Sequence, residues 1–148
     1  MRQLLYISNT DDKLPQAELD RILGASRRNN VSLGLTGMLL YLGGAFLQVL
    51  EGPEESVEKI YTRIRSDSRH WEARTLLESD ILHRAFGAWS MGFHELKPGQ
   101  ADADGLFRIS REAIAGRWTA DAATELKTMM QTFYRVQIGN RAKTDFAV

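Results

Sequence analysis

The chain of 148 residues contains no cysteine. That excludes disulfides, thiolate metal sites, cysteine nucleophiles and covalent thiol adducts together. Net charge is lacking too: 19 Lys and Arg face 19 Asp and Glu, which removes the electrostatic reason for broad binding to nucleic acid or an anionic membrane. Nowhere do ~18 apolar residues run together, and the opening "MRQLLYISNT" holds too short an apolar stretch for a signal peptide. The expectation is a soluble cytoplasmic protein that engages neither nucleic acid nor membrane. Repeats and low-complexity tracts are absent. His70, His83 and His94 show no metal-ligand spacing, so taken as residues they are expected to be structural or exposed, and no metal is expected. What is present, at 43% hydrophobic residues, suffices for one compact domain with a core and an appended element.

Periodicity places the elements. "RQLLYIS" (2–8) is β-prone and ends in the polar "NTDDK". After Pro15, Leu19, Ile22 and Leu23 recur at helical spacing as far as "SRRNN" (26–30). "GLTGMLLYLGGAFLQVLEG" (34–52) is two apolar runs around Gly43-Gly44, a hairpin signal, closed by Gly52-Pro53. From Glu54, Val57, Ile60, Tyr61 and Ile64 mark a second helix ending near Asp67, with Glu54 and Glu55 at the positive end of its dipole. "EARTLLESDIL" (72–82) and "AWSMGFHEL" (88–96) read as further strands, the latter with Trp89, Met91 and Phe93 on one face.

The order βαββαββ matches an α+β, ferredoxin-like arrangement, with the first and third strands expected side by side as the parallel centre of the sheet. Tyr6 and Gln48 are then neighbours. Pleating puts Leu4 and Tyr6 opposite to Leu5 and Ile7, and Phe46, Gln48 and Leu50 opposite to Ala45, Leu47 and Val49, so both sheet faces are apolar. Two helices from the βαβ units cover only one face. The second cover is therefore expected from the tail, residues 97–148, after the polar connection "KPGQADADG". There Thr119 can cap a helix in which Leu126, Met129, Met130, Phe133 and Val136 form a stripe. The stripe reads as core rather than as an adaptable partner surface.

One residue does not belong in so apolar a strand. An unpaired amide in an apolar interior costs roughly 1–3 kcal/mol, so a buried Gln48 requires a partner. Taken singly, Tyr6 and Gln48 are ordinary strand residues, Arg63 and Arg69 solvated charges, and Trp89 and Met91 plain core. Together the segments say more. "LLYIS" with Tyr6, "SRRNN" with Ser26, Asn29 and Asn30, "GLTGMLLY", "FLQVLEG" with Gln48, "RIRSDSRH" with Arg63, Arg69 and His70, and "WSM" with Trp89 and Met91 resemble, in order and approximate spacing, the BLUF family of flavin-based blue-light sensors. The resemblance covers residues 1–96, and the layout is similar to that of short members without an output domain.

The resemblance implies FAD, held without a covalent bond between the two helices, with Tyr6, Ser26, Asn29, Asn30, Gln48, Arg63, Arg69 and His70 around it. Some members have histidine where this chain has Asn29. It implies that Gln48 bridges Tyr6 and the flavin, that light draws an electron and then a proton from Tyr6, and that Gln48 rearranges, with Trp89 and Met91 on the strand that carries the signal. It implies a sensor rather than an enzyme, acting on a separate downstream protein and self-associating at least as a dimer. A small hydrolase of acylphosphatase type is the alternative, although "ISNTDDK" offers no Gly-rich phosphate cradle. An RNA-binding module on the same fold is disfavoured by zero net charge and the absence of an aromatic-rich RNP pattern.

Overall fold

The computed structural model describes residues 1–11, 13–41, 43–87, 89–95 and 119–146. In chain order these form β1 (Arg2–Thr10), α1 (Gln16–Leu33), β2 (Thr36–Tyr41), β3 (Ala45–Gly52), α2 (Glu54–Arg65), β4 (His70–Asp80), β5 (Gly92–Glu95) and α3 (Ala120–Phe146). The five strands make one sheet in the order β4-β1-β3-β2-β5, an α+β, ferredoxin-like fold.

β1 and β3 are adjacent, as expected, but antiparallel rather than parallel. The hairpin is the reason. Gly43 and Gly44 both take positive φ, 59° and 92°, which glycine adopts without steric cost and which suits a tight antiparallel return. β3 therefore runs against β2 and slots in beside β1. The register survives the change of direction, and Tyr6 lies opposite Gln48.

α1 continues three residues past the asparagines, to Leu33, because its terminator is Gly34. Gly34 adopts the left-handed conformation at φ 69°, and Leu35 N–H bonds back to the Asn30 carbonyl at 2.8 Å, the closing pattern of a glycine-ended helix. Ser26, Asn29 and Asn30 thus sit on the body of the helix. α2 starts after Pro53 with Glu54 and Glu55 in its first turn and carries Arg63 and Arg65 in its last, a charge order that complements the helix dipole at both ends.

Each sheet face has its own core. Leu4, Tyr6, Leu39, Phe46 and Leu50 pack with Leu19 and Leu23 of α1 and Val57, Ile60 and Tyr61 of α2. On the opposite face Leu5, Ile7, Met38, Leu40, Leu47 and Val49 pack with Ala123, Leu126 and Met130 of α3. The Thr119 hydroxyl caps α3 by accepting the Ala122 N–H at 3.1 Å. Met129 is partly buried against the same core; the side chains of Phe133 and Val136 and the segment 96–118 lie outside the described residues. Among the described residues no helix is long and apolar enough to cross a membrane.

β5 is shorter than expected, and the expectation that Trp89, Met91 and Phe93 share a face does not hold. Trp89 packs on the α3 side of the sheet, whereas Met91 and Phe93 pack on the α1–α2 side. Residues 89–91 precede the strand, so pleat alternation does not govern them. The chain turns there, with Trp89 N–H bonded to the Phe86 carbonyl at 3.3 Å and the Trp89 carbonyl accepting Gly37 N–H at 3.2 Å. The Trp89 ring then lies against the bare Cα of Gly92, where a Cβ would come within 1.7 Å of it.

Candidate functional site

The sheet face under α1 and α2 holds one polar pair at its centre. The Tyr6 hydroxyl donates a short hydrogen bond to Gln48 Oε1, and Gln48 Nε2 donates to Met91 Sδ at 3.3 Å. Tyr6 and Gln48 are each 3% exposed. Gln48 therefore has the partners that its burial requires, and it is Met91, not Trp89, that lies beside it. Burial pushes the Tyr6 phenol well above its ordinary range, and Tyr61 and Asp67 add to the effect, so Tyr6 is held as the neutral phenol. The Tyr61 ring lies 5.1 Å from that of Tyr6, and its hydroxyl is 3.0 Å from Thr75 Oγ1.

A cleft of about 120 Å³ opens over this pair, between α1 and α2. Ile22 and Ala25 of α1, Ile60 and Ile64 of α2, and Leu39, Phe46 and Leu50 of the sheet give it apolar walls. Its polar lining contains Tyr6, Ser26, Asn29, Asn30, Gln48, Arg63, Arg69 and His70. The fold thus gathers, from β1, α1, β3, α2, β4 and the turn before β4, all eight side chains that the family resemblance grouped around a cofactor.

Their surroundings differ. Asn30 is buried, and its Nδ2 donates to the Ser90 carbonyl at 2.7 Å, which ties α1 to the segment before β5. Asn29 and Ser26 are half-buried along the same helix. Arg63 is exposed at the rim and makes no ion pair among the described residues. Arg69 is already engaged, by Asp67 at 2.5 Å and Glu18 at 3.4 Å, and its bonds to Asp67 hold that carboxyl below the usual carboxylate range. Burial pushes the His70 imidazole down, with Asp67 opposing. His70 Nδ1 is buried without a hydrogen-bond partner among the described residues.

This donor set fits a planar, largely apolar ring with a polar edge. Apolar walls suit its faces, amides at the floor match an edge of alternating donors and acceptors, and two arginines near the mouth suit an anionic extension. Among the described residues no cluster of His, Cys, Asp and Glu could hold a metal ion.

Several participants were not singled out in the sequence. Tyr61, Asp67 and Arg27, whose Nε donates to the Met91 carbonyl at 3.2 Å, all belong to the surroundings of the site. Asp67 could have been found from its place two residues before Arg69, a spacing that lets a carboxylate fold back on a guanidinium. Arg27 and Tyr61 are set by tertiary packing and have no local signal.

The chain belongs to the BLUF family, "Sensors of blue-light using FAD", whose profile matches residues 1–92. Families of this kind sense rather than catalyse, and the hydrolase alternative has no support. Similar proteins include photoactivated adenylate cyclase subunit beta of Euglena longa, 37% identical over 89 residues, which are 60% of this chain and 10% of that one. The blue light- and temperature-regulated antirepressor BluF of Escherichia coli (strain K12) is 35% identical over 99 residues, 67% of this chain and 25% of that one. The chain therefore spans a quarter or less of the length of these two relatives. Among solved structures, BlrB, a BLUF protein in its dark state, superposes with a TM-score of 0.68 at 34% identity, covering 83% of this chain and 96% of that one. BlsA in its photo-activated state gives 0.74 at 25% identity, covering 90% and 94%.

Proposed function

We propose that this chain binds FAD non-covalently in the cleft between α1 and α2 and senses blue light through Tyr6 and Gln48. The observation that carries the reading is the continuous series from the Tyr6 hydroxyl through the Gln48 amide to Met91 Sδ, in which Tyr6 and Gln48 line the cleft. In its lit state bound FAD supplies a strong oxidant. Tyr6, a buried neutral phenol, would be the group that gives up the electron. A phenol that has lost an electron is a strong acid, and Gln48 Oε1 already accepts its hydrogen bond, so the proton would follow along that bond; electron and proton would then return to Tyr6, with Gln48 left rearranged. Gln48 is both donor and acceptor; by rotation or tautomerisation it exchanges those ends and changes the bonds it offers to the cleft and to Met91 without moving a net charge. No thiol is needed, in keeping with the lack of cysteine.

Asn30, Asn29 and Ser26 of α1 are assigned to the polar edge of the ring, and Arg63, Arg69 and His70 to the mouth and its anionic extension. Arg63, with no ion pair among the described residues, is the better placed cation; Arg69 must share itself with Asp67 and Glu18. The output passes to a separate downstream protein, and the chain self-associates at least as a homodimer; sedimentation showing only monomer at micromolar concentration removes the latter point. The central test is an absorption spectrum of the purified chain before and after blue light. A yellow protein with a reversible red shift is expected, and a colourless or light-insensitive one refutes the reading.

A further inference from the structure

Glu51 is a carboxylate at 0% exposure, inside a sheet and without an ion-pair partner among the described residues. A buried carboxylate persists only where several donors replace its water. Here there are three, and two belong to one segment: Glu51 Oε2 accepts Gln3 Nε2 at 3.0 Å and Ala85 N–H at 2.7 Å, while Oε1 accepts Phe86 N–H at 2.6 Å. Arg84 fastens the same segment from outside, donating to the Gly34 carbonyl at 2.7 Å, Thr36 Oγ1 at 2.8 Å and the Glu51 carbonyl at 3.1 Å.

From there a series of backbone bonds leads to the light-sensing pair. Phe86, whose N–H is held by the carboxylate, accepts Trp89 N–H, and Trp89 in turn accepts Gly37 N–H. Two residues further on Met91 presents its sulfur to Gln48. The segment thus begins at a carboxylate on the α3 side of the sheet, crosses at residues 89–91, and ends on the opposite side beside Gln48. We infer that Glu51 is a positioning residue: its carboxylate, by holding the Ala85 and Phe86 N–H groups, sets where residues 89–91 place Met91 and so fixes the sulfur contact of Gln48. The inference rests on the reading of Tyr6 and Gln48 as the light-sensing pair, with Met91 as the sulfur contact of Gln48.

Glu51→Gln is the discriminating change. It preserves volume, and Gln3 can turn its own amide to suit, but the single oxygen of the new amide serves only one of two backbone N–H groups that had one oxygen each. Gln3→Met removes a bond from the carboxylate while leaving both backbone bonds in place. The five methionines give five methyl signals in the flavin-loaded full chain, joined by a sixth from residue 3 in Gln3→Met, and loss of one in Met91→Leu assigns the Met91 signal. In the dark, Glu51→Gln is expected to displace or broaden the Met91 signal and speed amide exchange at Ala85 and Phe86 at least tenfold, with Gln3→Met near wild type. An unmoved Met91 signal despite faster exchange overturns the inference, as does an equal displacement in Gln3→Met. Should Glu51→Gln not fold, Arg84→Gln, which loosens the same segment without touching the carboxylate, is expected to move the same signal, and its failure to do so overturns the inference. Illumination separates positioning from mere support. Glu51→Gln is expected to keep the red shift but to show less than half the wild-type light-minus-dark displacement of the Met91 signal; a full displacement counts against it. The dark comparison needs no photochemistry, so a wild-type protein without a red shift refutes the proposed function and leaves this result standing by itself.

Discussion

Gln48 shows what one buried amide can do that an apolar side chain of similar volume cannot. In Gln48→Leu the hydrogen bonds with Tyr6 and Met91 are both lost, each contributing roughly 0.5–1.5 kcal/mol net, while the apolar walls of the cleft remain. The variant is expected to fold and retain flavin, yet to form no red-shifted state under blue light; a full reversible shift would refute the assignment. Tyr6→Phe keeps the ring that packs on Tyr61 but removes the oxidisable phenol, and is expected to bind flavin and lose the stable shift, which difference spectroscopy reads directly. His70 gives a pH prediction. Its folded-state pKa lies below the ordinary 6.5 because burial disfavours the cation, so the unfolded chain takes up the proton first. The stability associated with a neutral His70 is fully present above pH 6.5 and declines as pH falls from there toward the folded-state pKa; a series of melting temperatures should show that decline and His70→Gln should flatten it. Gln48 was legible in the sequence because an amide interrupts an apolar run with apolar residues on both sides. Glu51 breaks the same run but stands next to Gly52-Pro53, where a charge reads as a strand end, and its donors come from residues 3, 85 and 86, which no local pattern connects to it.

At the scale of elements, apolar runs, turn signals and helical spacing located every strand and helix now described, because these patterns follow from backbone geometry and burial alone. What they missed depends on chain direction or on turns. Neighbouring strands look the same in a pattern whether parallel or antiparallel, and only the return forced by Gly43-Gly44 settles β3. Likewise period two assigns faces only inside a strand, and residues 89–91 are not yet in one. The cover over the second face was legible from supply and demand: two apolar faces, and two helices for one of them. Leu126 tests that cover. It is fully buried beneath α3 among Leu5, Ile7, Leu47 and their neighbours, and truncating a buried leucine costs about 2–5 kcal/mol. Leu126→Ala is expected to lower the urea midpoint accordingly while leaving the flavin spectrum unchanged, since the cleft is on the opposite side of the sheet. A lost or altered spectrum with unchanged stability would mean that α3 acts on the site rather than on the core.

For the whole molecule, the family profile ends at residue 92, yet among the described residues one of the two cores is completed by Ala123, Leu126 and Met130 of α3. The light-sensing part and the tail are therefore unequal partners in folding: the cleft side is closed by α1 and α2, and the other side of the same sheet depends on residues far along the chain. A chain truncated after residue 96 would bare Leu5, Ile7, Leu40, Leu47 and Val49 together, a contiguous apolar patch of the kind that drives association. The Tyr6–Gln48 side should be spared, because pleating points its side chains away from the damage. The truncated chain is thus expected to take up flavin and still show the red shift, but to bind a hydrophobic dye and sediment as a larger species than the full chain at equal concentration. If it instead sediments like the full chain and binds no dye, α3 is not the cover on which the second core depends. If it loses flavin altogether, the two faces are coupled more tightly than their separate packing implies, and Phe86, Trp89 and Met91, which between them touch both, mark the place where that coupling would have to run.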